Sequence, residues 1–416
     1  MLLSMLMHRL SYAFILLITW PMRYLPFSAI HRLGGVLGLG IYHLVPKFRK
    51  RSLSNLALAS NLKLTEEELK KLAKQSLQNL MITCLEYSKF AQLKKTDSIV
   101  RCENPEVAAS LIQEGKSVIF FCGHQANWEV LFLEGIQRMP GIAIGRPVKN
   151  QLLYNWILSI RQKFGGKIIT PQNAIREGLR GLKKGIFMGI VGDQGMPDSG
   201  YSSLFLGRRA WTSPIAAILS HRTGCPIFVA STRREGGKYI IHYSDPIWPH
   251  TDAPMDQEID RLMQASLAEL EKTIAERPGE WLWSHNRWKQ QTPEKLKKRF
   301  RHESILVILP KEGKTLGSLR VMREVYPTEF ITVLAPEGTE VDLPGAEILS
   351  YASEEEVLRK DYRFKLVYDF SSSKKVKAHY KKLATFDVVG LNEVFPDETA
   401  PFADQFKSTV LREYAP

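Results

Sequence analysis

His124 and Glu129 close the two ends of the hexapeptide HQANWE, and they are the residue types that a base and its partner require. An imidazole held by a carboxylate can take the proton of an alcohol as it attacks and hand it on afterwards. On one continuous helix a spacing of five rotates two side chains by roughly 140°, so the pair would not meet there. It meets if His124 lies on a loop leaving a strand and Glu129 in the first turn of the next helix. Gly123 is expected to free that turn and Asn127 to cap the helix. No second histidine stands at the H-E-x-x-H spacing of zinc proteases, so no metal is expected. Cys122, two residues earlier, offers a nucleophile beside a base. It also ends the apolar run SVIFF, where a small buried residue is the plainer reading.

Four more polar groups fall where elements end. Arg146 and Lys149 lie in GRPVKN, Arg161 on QLLYNWILSIRQKFG and Asp193 in GDQGMPDSG. Each alone reads as a surface ion pair; their shared placement reads as a cleft. The elements that must carry them alternate. Apolar strands are expected at 117–123, 141–147 and 185–193, with further strands in PIFVAST and KYIIHY. Helical periods separate them, and another runs from Thr65 to Gln92, where Thr65 and Glu68 have capping-box spacing. An α/β domain with its active groups at the strand ends follows.

The chain has 416 residues and a formal net charge of +14, which suits nucleic acid, an anionic membrane or a phosphorylated substrate. No nucleic-acid motif accompanies that charge, so nucleic acid is not an expected partner. Cys84, Cys102, Cys122 and Cys225 share no C-x-x-C spacing and read as reduced thiols. The apolar stretch from Leu10 to Met22 is shorter than the ~18 residues of an ordinary span. A second, glycine-rich stretch runs from Leu33 to Pro46 and ends in KFRKR. Together they suggest a short spanning or deeply inserted anchor with the rest of the protein on the cytoplasmic side. Core helices of a soluble domain are the competing reading.

HQANWE, GRPVKNQLLYNWILSIRQKFGG, GDQGMPDSGYSSLFLGRRAWTSPIAAIL and WLWSHNRWK, in this order, resemble the lipid A late acyltransferases of the lysophospholipid acyltransferase superfamily. The resemblance runs to about Lys289 and includes RKRSLSNLALA. It implies transfer of a fatty acyl chain from acyl carrier protein to a hydroxyl of a Kdo-bearing lipid A precursor, with no cofactor, at the cytoplasmic side of the inner membrane. His124 would be the base and Glu129 its orienting partner. Arg146, Arg161 and Asp193 match the family's other polar positions, with Lys149 beside them on the substrate side. The arginines would suit acceptor phosphates or a thioester oxyanion. Gly123 stands where the family often has asparagine. Acylation of another lipid, such as a lysophospholipid or a mannosylated phosphoinositide, and non-catalytic glycolipid binding are the alternatives.

The basic run 289–303 separates this part from a second β/α alternation that begins at SILVILP. Three parts are therefore expected: an anchor over 1–46, an acyltransferase α/β domain over 47–300, and a smaller Rossmann-like α/β domain over 301–416. The last resembles the N-terminal half of heptosyltransferase-type glycosyltransferases without its nucleotide-binding half, which implies a non-catalytic role. GKT at Gly313–Thr315 lacks the glycine that a phosphate loop needs at position 308, which is Ile.

Overall fold

The structure, a computed structural model, describes residues 2–311 and 318–413, with side chains from residue 5 onward. Gly313–Thr315 lie outside the described residues. The chain begins with helices α1 (Leu2–Thr19), α2 (Phe27–Leu44), α3 (Pro46–Leu58) and α4 (Glu66–Phe90). Then come β1 (Val100–Cys102), α5 (Glu106–Gln113), β2 (Ile119–Cys122), α6 (Glu129–Arg138), β3 (Gly141–Ile144), α7 (Gln151–Arg161) and β4 (Lys167–Ile169). Next are α8 (Ala174–Leu182), β5 (Phe187–Val191), the hairpin β6 (Ser202–Phe205) and β7 (Arg208–Trp211), α9 (Ile215–Thr223), β8 (Ile227–Glu235), β9 (Lys238–Tyr243) and α10 (Met255–Glu276). The last part holds β10 (Ser304–Ile308), α11 (Arg320–Val325), β11 (Phe330–Pro336), β12 (Glu347–Tyr351) and α12 (Glu354–Val357). It ends with β13 (Leu366–Asp369), α13 (Lys374–Lys382), β14 (Asp387–Gly390), α14 (Leu391–Val394) and α15 (Phe402–Val410).

Two compact units form, and neither is continuous in sequence. The first comprises residues 1–42, 74–194 and 212–282; the second 43–73, 195–211 and 283–416. The expected cut near residue 300 is thus replaced by one in which 43–73 and 195–211 fold with the C-terminal part.

The first unit is built on a seven-stranded sheet in the order β1-β9-β8-β2-β5-β3-β4. Only β8 and β9 run antiparallel; the other neighbours are parallel. Strand β2 reads IFFC and is buried throughout, as a central parallel strand must be. The connection out of β2 leads to β3 on one side, whereas that out of β5 leads to β8 on the other. Such a reversal between neighbouring strands opens a crevice at their carboxyl ends.

Helix α2 lies close against α4. A Cβ on Gly34 would come 2.8 Å from the Ile82 Cα, and one on Gly38 would come 2.3 Å from the Gln78 Cα. Bare glycines four apart let the two backbones approach. Among the described residues no helix is long and apolar enough to cross a membrane. Helix α1 exposes Leu6, Leu10, Phe14 and Leu17, spaced to share one helix stripe.

The second unit carries a five-stranded parallel sheet in the order β12-β11-β10-β13-β14, a doubly wound half as expected from its β/α alternation. Thr65 and Glu68 make the capping box: the Glu68 amide donates to Thr65 Oγ1 (3.3 Å) and the Thr65 amide to Glu68 Oε2 (2.8 Å). In KFRKR, Lys50 is half-buried and donates to the Thr385 carbonyl. That lysine is turned into this unit's own fold.

Candidate active site

Strands β2 and β5 pair with Cys122 opposite Val191, and the Gly192 amide donates to the Cys122 carbonyl at 2.9 Å. Two residues beyond each paired end stand His124 and Asp193. Equal reach from adjacent parallel strands brings them together. His124 Nδ1 lies 2.6 Å from Asp193 Oδ1, while Oδ2 accepts the His124 amide at 2.6 Å and the Trp281 indole N–H at 2.7 Å. A buried carboxylate that already accepts two N–H groups is an acceptor toward the ring as well, so Nδ1 carries the proton of the neutral ring. Nε2 is then the basic nitrogen, with the Gln194 amide nitrogen 3.4 Å away. The Trp128 ring meets the imidazole edge-on at 4.5 Å between centroids.

Glu129 opens α6 as expected, yet it does not orient the imidazole. Arg161 grips its carboxylate in a two-pronged fork, Nε to Oε2 at 2.8 Å and an NH2 to Oε1, and the Tyr87 hydroxyl donates to Oε1 as well. The Glu129 carboxylate is thus turned to Arg161 and Tyr87, while the carboxylate that meets His124 Nδ1 is Asp193, which takes the role expected of Glu129. Burial pushes the Glu129 carboxyl up, but the Arg161 charge and the two donors outweigh it and hold it below the usual carboxylate range. Arg161 is itself raised: burial alone would lower it, and Glu129 reverses the sign.

The loop between base and helix is braced on all sides. Ala126, not Gly123, takes the left-handed conformation, at φ +47°. An alanine tolerates this only where its surroundings insist. Its amide donates to the Glu280 carbonyl (2.9 Å), and its own carbonyl accepts Asn79 Nδ2 (2.9 Å) and Thr83 Oγ1 (3.0 Å). The bareness of Gly123 serves a different end: a Cβ there would come 3.1 Å from Asp193 Oδ2 and 3.0 Å from Leu270 Cδ1. The cap position of α6 falls on Trp128, one residue later than expected, and Asn127 just before it accepts the Glu129 amide at 3.1 Å and donates to the buried Glu86 at 2.7 Å. Glu86 also receives the Tyr239 hydroxyl and sits 2.7 Å from His31 Nε2 on α2.

Arg146 and Lys149 are exposed on the loop between β3 and α7, at the same carboxyl edge of the sheet as the His124–Asp193 pair. The structure thus divides the six residues: His124 with Asp193, Arg161 with Glu129, and the two cations on the neighbouring loop. Cys122 is fully buried; burial first, then the Asp193 and Glu129 charges, push its thiol far up, which makes it a poor nucleophile. Tyr87, Trp281 and Gln194 were not foreseen as site residues. Trp281 stood in the WLWSHNRWK segment, while Tyr87 had no signal beyond its place on a helix.

Residues 3–290 match the family model of the bacterial lipid A biosynthesis acyltransferases. A lipid A biosynthesis acyltransferase of Haemophilus influenzae (strain ATCC 51907 / DSM 11121 / KW20 / Rd) is 25% identical over 274 residues, covering 62% of this chain and 81% of that protein.

Proposed function

Since the chain belongs to the bacterial lipid A biosynthesis acyltransferase family, we propose that it moves a fatty acyl chain from acyl carrier protein to a hydroxyl of a Kdo-bearing lipid A precursor. The observation that carries the chemistry is the 2.6 Å contact between His124 Nδ1 and Asp193. Asp193 fixes the tautomer, so Nε2 accepts the acceptor's hydroxyl proton as the oxygen attacks the thioester carbonyl. The C–O bond forms, the C–S bond breaks, and the imidazolium passes its proton to the leaving thiolate. No acyl-enzyme is formed, because the acceptor oxygen is itself the nucleophile. Glu129 and Arg161 hold the start of α6 and keep a fixed dipole beside the imidazole. Arg146 and Lys149 meet the acceptor's phosphates or sugar acids.

The exposed stripe of α1 supports a protein resting in the cytoplasmic interface of the inner membrane, among anionic lipids, rather than spanning it. The second unit has no part in the chemistry under this reading.

The test is acyl transfer with purified protein, mass spectrometry identifying the product. His124→Ala should abolish transfer, and Asp193→Asn should lower kcat by roughly 10³–10⁴-fold through the wrong tautomer. Rates within a few-fold of wild type in both variants would overturn the mechanism. Acylation of a lysophospholipid in place of the lipid A precursor would overturn the acceptor while leaving the reaction class standing.

A further inference from the structure

Asn150 joins two elements that the mechanism needs but that no bond along the chain connects. Its Oδ1 accepts the amides of Leu152 (3.1 Å) and Leu153 (3.3 Å), which caps α7. Its Nδ2 donates across to α1, to the His8 carbonyl at 2.8 Å and to Ser11 Oγ at 2.9 Å. The Ser11 hydroxyl closes the knot by donating to the same His8 carbonyl at 3.0 Å. Capping alone would not call for asparagine, since serine or aspartate caps equally well. Only the amide offers an acceptor and two donors at once. On one side of this knot α1 exposes its apolar stripe; on the other, the loop just before Asn150 exposes Arg146, Val148 and Lys149.

We propose that Asn150 is a positioning residue for the lipid acceptor. It fixes the cationic loop against the helix that rests in the membrane interface, so that Arg146 and Lys149 meet the anionic headgroup at a set place as the acceptor leaves the bilayer. The inference rests on the acyl transfer proposed above. The cations supply the charge, and Asn150 supplies its location.

Asn150→Ser separates the two jobs of the side chain: it keeps an uncharged cap and is too short to reach α1. With lipid A precursor carried in phosphatidylglycerol-containing vesicles, its KM for the acceptor should rise roughly tenfold, the scale of one or two neutral hydrogen bonds. Its kcat should stay near wild type, and its melting temperature should fall by a few degrees at most, since two hydrogen bonds at the surface are lost and the cap is kept. Asn150→Ala should show the same KM and a lower melting temperature, because the cap is gone too. An unchanged KM in Asn150→Ser, beside an active wild type, overturns the proposal. So does a fall in kcat as large as the rise in KM, which marks a general structural role. A wild type that acylates no lipid A precursor defeats instead the reading beneath it.

Discussion

Two carboxylates flank one imidazole here, and only their partners tell them apart. Asp193 accepts N–H groups from His124 and Trp281, so its negative charge faces the ring that must become cationic. Glu129 is already neutralised by Arg161. The two should therefore fail differently. Asp193→Asn should cost rate with little stability, whereas Glu129→Gln strands a buried guanidinium and should cost about 3–5 kcal/mol of stability. The pH dependence has a definite sign. The Glu129 carboxyl is depressed in the folded state, so its contribution is fully present above the unfolded value of about 4.3 and fades as pH falls through the folded value. Melting curves should show the gap between wild type and Glu129→Gln wide at pH 7 and closing below about pH 4. A gap constant down to pH 3 would mean that the fork with Arg161 contributes nothing. Gly123 adds a steric case. Gly123→Ala places a methyl 3.1 Å from Asp193 Oδ2, so kcat should fall by more than tenfold while the fold survives. Asparagine at this position, as the family often has, would need the carboxylate to sit elsewhere.

At the scale of elements, most of this arrangement was legible along the chain. The runs at SVIFF, GIAIG and GIFMGIV form strands because central parallel strands are apolar on both faces, and the helices between them carry a 3.6 period. The partner of His124 was not legible, for a physical reason. It depends on β2 and β5 being neighbours in the sheet, a pairing between segments about seventy residues apart that no local pattern announces. The same holds for α2, whose glycines read as a feature of an anchor and instead mark a crossing with α4. That crossing matters to the site, because α4 supplies Asn79 and Thr83 to the Ala126 carbonyl and Tyr87 to Glu129. Gly38→Val would drive a branched side chain into the Gln78 backbone and should cost about 3 kcal/mol, the upper end of overpacking. For a unit of this size that lowers the melting temperature by roughly 6–12 °C. Activity should fall further than in a surface variant such as Gly40→Ala, whose Cβ meets nothing within 4 Å. Equal melting temperatures for the two variants would show that the close approach is not maintained.

At the scale of the whole molecule, the two units cross the expected boundary, and the physical cause is a buried polar knot. Lys365 of the second unit is almost fully buried and donates to Glu303, to Asn286 Oδ1 at 2.7 Å and to Asn55 Oδ1 at 3.1 Å. Asn55 lies on α3, some 250 residues before Glu303, and donates in turn to the Trp283 carbonyl at 2.7 Å. Ser54 donates to the Arg363 carbonyl at 2.8 Å, and Arg208 of β7 lies over the Phe330 ring at 4.7 Å. Residues 43–73 and 195–211 thus have their satisfied polar groups and their packing in the C-terminal part. A chain ending near residue 300 would take Lys365 away from Asn55 Oδ1 and Asn286 Oδ1 and the Arg363 carbonyl away from Ser54, each buried polar group left unsatisfied costing about 1–3 kcal/mol. Against a total stability of about 5–15 kcal/mol, a handful of such losses is enough to unfold the segment. Residues 1–300 expressed alone should therefore aggregate or melt without cooperativity, although the family match ends at 290. In the full chain, Lys365→Met should be strongly destabilising, because it leaves Glu303 charged and buried, and Lys365→Met with Glu303→Leu should recover part of the loss. A soluble 1–300 fragment with a cooperative melt near that of the full chain would place the boundary back at residue 300.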